Sequence, residues 1–80
     1  MTRQEIITVL TPLAAKAFGI ENITLKDSMS AANVAEWTSL SFMNLIASVE
    51  KEFGFKFKIM ELFPINDMGA LISAIEKKNG

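Results

Sequence analysis

The 80-residue sequence contains no cysteine and no histidine. Without thiols there are no disulfides, no thiolate metal sites and no cysteine nucleophile, and without imidazole the usual base of a hydrolytic triad is missing. The carboxylates Glu50, Glu52 and Glu61 have no spacing that suggests an acid–base pair, so the chain is not expected to be an enzyme. An excess of positive charge is lacking too. Eight Lys and Arg stand against nine Asp and Glu, a formal net charge of -1, which leaves no basic footprint for a nucleic-acid backbone. A helix-turn-helix reader would need several exposed basic and amide side chains on one helix, and residues 39 to 53 offer only Lys51 and Asn44. No apolar run approaches the roughly 20 residues that span a bilayer. The start, MTRQEIITVL, lacks the layout of a secretory signal. There is no internal repeat and no low-complexity tract. The expectation is a cytoplasmic protein that binds no nucleic acid and enters no membrane.

What remains is hydrophobic patterning, with 50% of residues apolar. The length allows one domain, residues 1–80, with one small core that helix packing must stabilise unaided by disulfides or metals. From Arg3 to Phe18, Ile6, Leu10, Leu13 and Ala17 recur at helical steps and predict one apolar stripe. Thr2 is the expected cap and Gly19 the stop; Pro12 inside the pattern predicts a kink or a later start. Residues 20–38 show no sustained period. They predict a long ordered loop with room for one helical turn, pinned by Ile20, Ile23, Leu25, Met29, Val34 and Trp37.

A second helix is predicted from Ser39 to Phe53, with Gly54 as its stop. Phe42, Leu45, Ile46, Val49 and Phe53 follow core spacing, and Leu40, Met43 and Ala47 form a second stripe. That second stripe suits either a helix buried on two sides or an exposed face for partners, and the sequence leaves the two even. After Gly54, the alternation FKFKI predicts an extended connection; IMELF then allows one or two helical turns before Pro64 ends them. A last helix is expected to start near Asn66 or Asp67, to turn Met68, Leu71, Ile72 and Ile75 inward, and to close with Lys77, Lys78 and a trailing Gly80. The fold class is therefore all-α: a small three- to four-helix bundle with a long loop between helices 1 and 2 and a short third helix.

Ser39 opens the second helix. Taken alone, it reads as an N-cap, its oxygen accepting a free backbone N–H. In context, EWTSLSFMNLIASVEKEFGFKF, residues 36 to 57, resembles the helix around the prosthetic-group serine of acyl carrier proteins. The order of elements matches over nearly the whole chain. The specific part is Ser-Leu after Trp-x, followed by Leu45, Ile46, Val49 and Phe53 and a helix end at Glu-x-Phe-Gly.

The resemblance implies that Ser39 is an attachment point and not a catalyst. A phosphopantetheinyl transferase would move the 4'-phosphopantetheine arm of coenzyme A onto it, and the arm's thiol would carry acyl groups between acyl-loading and acyl-processing enzymes. A thiol carrier without cysteine would then make sense. Leu40, Met43, Ala47 and Thr38 become the expected docking residues, Met43, Ala47 and Met60 candidates for lining an acyl cavity, and the protein an expected free-standing monomer. Two departures stand out. The family usually has Asp before the serine, where this chain has Thr38, which keeps a capping role but offers no carboxylate to a transferase or its metal. The family's second helix is commonly acidic, whereas Ser41, Asn44 and Lys51 occupy such positions here. Both fit a specialised or secondary carrier; the alternative is a helical interaction module that is never phosphopantetheinylated, in which Ser39 merely caps.

Overall fold

A computed structural model describes residues 1–79; the expected trailing Gly80 lies outside the described residues. Four helices follow in order: α1 Arg3–Phe18, α2 Ser39–Phe53, α3 Ile59–Leu62 and α4 Met68–Asn79. Among the described residues there is no strand. This is the predicted all-α bundle with its long first loop and short third helix.

Helix α1 starts where the sequence predicts because its first turn is closed locally. Thr2 Oγ1 accepts the Glu5 N–H at 3.1 Å while Glu5 Oε1 accepts the Thr2 N–H at 2.7 Å, a reciprocal cap. Pro12 neither delays nor interrupts the assigned helix. It sits on the exposed side and removes one backbone donor. The buried stripe differs from the expected one. It runs Ile6, Leu10, Ala14, Phe18, while Leu13 and Ala17 are only half-buried. Helix α1 packs against both α2 and α4, and a contact line shared with two crossing helices follows a ridge of four-residue steps.

Helix α2 turns Leu45, Ile46 and Val49 into the core, each burial contributing roughly 1.5 to 3 kcal/mol. Phe42 and Phe53, expected in the same core row, lie at its two ends and are half-buried. Gly54 ends the helix at φ 77°, a left-handed conformation open to glycine at little steric cost, and donates its N–H to Glu50 O. Residues 55–58 then connect to α3 without regular structure, Lys58 being extended at φ -81° and ψ 151°.

The long loop is ordered by its anchors. Ile23 and Trp37 are buried, and Ile20, Leu25, Met29 and Val34 half-buried. The one helical turn the sequence allows is a single tight turn, in which Ser30 O accepts the N–H groups of Asn33 and Val34. The loop also seals the start of α4. Met29 O accepts the Met68 N–H at 2.8 Å, Asp27 O accepts the Gly69 N–H at 3.0 Å, and Asp67 Oδ1 accepts the Ala70 N–H at 2.8 Å. Asp67 is thus the residue that caps α4. The approach at Gly69 is close: a Cβ there would stand 2.9 Å from Asp27 Cβ. Arg3 completes the seam, its guanidinium donating to Asp27 Oδ2 at 2.9 Å and to Glu76 Oε1 at 2.7 Å.

Candidate functional site

The start of α2 is built by local hydrogen bonds. Thr38 is extended, at φ -116° and ψ 172°, and its Oγ1 accepts the Ser41 N–H at 3.1 Å. Ser41 Oγ reciprocates, accepting the Thr38 N–H at 2.8 Å and donating to Glu36 O at 2.7 Å. Thr38 O accepts the Phe42 N–H. The expected N-cap role of Ser39 is therefore corrected: Thr38 caps, and Ser39 is the first helical residue. Both residue types cap well; what favours Thr38 is the serine three residues on, whose hydroxyl closes the box and ties it back to Glu36.

This shift by one residue releases the Ser39 hydroxyl. Ser39 is exposed, and among the described residues its Oγ makes no hydrogen bond. Among the described residues no side-chain base is hydrogen-bonded to it. It is a hydroxyl open to solvent. The N–H groups of Ser39 and Leu40 have no intrahelical partner, as at any helix start, and the positive end of the helix dipole points the same way. No acidic side chain lies in the first turn. The electrostatics there favour an anion.

The structure separates the two stripes of α2. Leu40 is 73% exposed, Met43 49%, and Ala47 is exposed too. Of the two even readings, burial on two sides is the one the structure removes. Helix α3 likewise turns Ile59 and Met60 outward, and Phe63, just past its end, is exposed as well. Met43, Ala47 and Met60, expected to line an acyl cavity, all face solvent; for Met43 and Ala47 the reason is that α2 meets the rest of the bundle through the Leu45–Ile46–Val49 side. Thr38, expected at the docking face, is exposed, but its hydroxyl is engaged in the cap.

Three features escape the sequence reading. Ser41 holds the cap; Thr-x-x-Ser was the available signal, a short form of the capping box. The Glu36 carbonyl anchors Ser41 with no sequence signal at all. The third is an aromatic column: Phe18 stacks on Trp37 at 5.2 Å between centroids, and Trp37 on Phe42 at 5.7 Å. Phe18 lies a whole loop away in sequence, so periodicity does not reveal it. The column fixes Trp37 and with it the direction in which the chain enters α2.

Among known proteins, the acyl carrier protein of Thermotoga maritima is 27% identical over 79 residues, covering 99% of this chain and 98% of that one. The solution NMR structure of the holo acyl carrier protein from Geobacter metallireducens matches with a TM-score of 0.82 at 36% identity, covering 90% of this chain and 83% of that chain. No family model matches the sequence.

Proposed function

Because the chain belongs to the acyl carrier protein family, we propose that Ser39 carries a 4'-phosphopantetheine arm. The observation that carries this reading is the exposed Ser39 hydroxyl, unengaged in the first turn of α2. The residues present fit the group. The open N–H groups of Ser39 and Leu40 and the positive end of α2 suit the phosphate, and Thr38 holds the turn without competing for it. When bound, the arm supplies the terminal thiol that the chain itself lacks, on which acyl groups are held as thioesters.

Everything else this chain contributes is presentation. The capping box keeps Ser39 on a fixed first turn, and the apolar side chains of Leu40, Met43 and Ala47 lie exposed on the same helix for a phosphopantetheinyl transferase and for acyl-loading and acyl-processing enzymes of fatty acid, polyketide or related biosynthesis. Ile59 and Met60 of α3, with Phe63 just after it, add apolar surface. The first turn of α2 has no acidic residue, so docking depends on apolar contact more than on charge steering. Raising salt is expected to change the affinity for a partner enzyme only slightly; a steep loss in a salt titration would contradict this.

The test is intact mass after incubation with coenzyme A and a broad-specificity phosphopantetheinyl transferase, beside Ser39→Ala. A gain of one phosphopantetheine, absent in the variant, is the expected result. Loading restored only by Thr38→Asp would mean an intact carrier fold specialised for a different transferase. No gain even then would favour the interaction module.

A further inference from the structure

Beside Ser39 lies a hollow of about 350 Å³ lined by Ala31, Trp37, Thr38, Ser39 and Phe42. It opens on the long-loop side of α2. Ser39 stands three residues before Phe42 and four before Met43, so it shares a helix flank with both. Phe42 leads toward the half-buried aromatic column and Met43 toward the exposed stripe. A group on Ser39 therefore starts at the seam between two surfaces, one concave and aromatic, the other convex and aliphatic.

We propose that the arm rests in this hollow, with the dimethyl-substituted carbon next to its phosphate packed against Trp37 and Phe42. The inference rests on the carrier reading and adds to it a place for the arm. The occupant follows from the tether. Ser39 is itself part of the wall, so the first groups of anything attached to its oxygen are held at the mouth of the hollow at an effective concentration in the millimolar range or above. The segment next to the phosphate contains the arm's one branched apolar carbon, which the half-buried ring of Phe42 and the rim of Trp37 can cover. The walls are preorganised: Trp37 is only 8% exposed and stacks with both Phe18 and Phe42. Little side-chain entropy is left to lose on contact. With the arm on this side, the Leu40–Met43–Ala47 stripe stays free for partner enzymes.

The absence of cysteine allows a test that needs no transferase. In Ser39→Cys the introduced sulfur is the only thiol. Its thiolate displaces bromide from S-methyl pantetheine bromoacetylated on the 4'-oxygen, a C–S bond forming as the C–Br bond breaks, so that the dimethyl-substituted carbon sits next to the linkage as it does in the native arm. NMR spectra of this adduct are expected to show cross-peaks between the arm's methyl protons and the rings of Trp37 and Phe42. The emission of Trp37, the sole tryptophan in a chain without tyrosine, is expected to shift as well. Ala31→Phe fills the hollow from an exposed loop position, away from the core. In an Ala31→Phe adduct with native-like helix signals, the cross-peaks are expected to vanish. Methyl resonances at their free-pantetheine positions, with shifts confined to residues adjoining the linkage, would overturn the proposal. So would cross-peaks to Met43 and Ala47 instead. Either failure is distinguishable from failure of the carrier reading, which the mass experiment decides by itself.

Discussion

Two helix starts in this molecule solve one problem in opposite ways. At α4 the first N–H groups are consumed by tertiary partners, the carbonyls of Met29 and Asp27, with Asp67 closing the turn. At α2 the closure is local, through Thr38 and Ser41, and the N–H groups of Ser39 and Leu40 are left to solvent. The α4 start is a structural seam, whereas the α2 start keeps its first donors open. A helix end offers anion-binding capacity only where the fold has not already spent it.

The comparison breaks most severely at Gly69. Gly69→Ala places a Cβ 2.9 Å from Asp27 Cβ and 3.3 Å from Asp27 O, the atom that accepts the Gly69 N–H. Neither contact is the far end of a flexible side chain. Overpacking is expected to cost about 1 to 3 kcal/mol, outweighing the roughly 1 kcal/mol that alanine gains over glycine within a helix. Urea unfolding would check this, and the loop should lose amide-exchange protection with α4. The corresponding change at the other start is milder. Thr38→Ala removes a cap, for a loss of about 1 kcal/mol. Ser39 then inherits the capping role, engaging its hydroxyl, so transferase loading is expected to slow as well.

Smaller effects sharpen the contrast. Arg3→Ala cuts the bridges from α1 to Asp27 and Glu76. These pairs lie at the surface, so the melting temperature should fall only slightly, and less at high salt, where such pairs are screened. Ser39 loading should not change. The last effect is absent at neutral pH. The Thr2 N–H holds the Glu5 carboxyl below its ordinary value of 4.5, and the Lys58 N–H, followed by the Lys78 side chain, does the same for Glu61. A carboxylate with a lowered pKa contributes stability that is present above the unfolded value and lost as pH falls through the folded one. Acidification below about 4.5 is therefore expected to fray the starts of α1 and α3 first, visible in amide chemical shifts. The α2 start, closed by hydroxyls, should hold.

Where reading the sequence succeeded, the cause is local. The starts and stops of α1 and α2, with Gly19 and Gly54 in left-handed caps, follow from residues within one turn of each other. The site was legible to within one position. Ser39 and Thr38 are both good caps, and only the bond from Ser41 to Glu36 and the placement of Trp37 separate them. The α1 stripe was misplaced at Leu13 and Ala17 because periodicity reports a face, whereas the neighbours α2 and α4 choose the line along it.

By itself, then, the sequence determined a bundle of three to four helices, their order, the long loop, and an apolar α2 opening on a serine, because propensity, capping and hydrophobic period act over three or four residues. The tertiary structure alone decided that the second stripe of α2 is exposed, that the loop closes α4, that Arg3 joins residues 24 and 73 positions away, and that Phe18 braces Trp37 beside Ser39. Those contacts form between segments distant in sequence, and no local preference encodes which of them will meet.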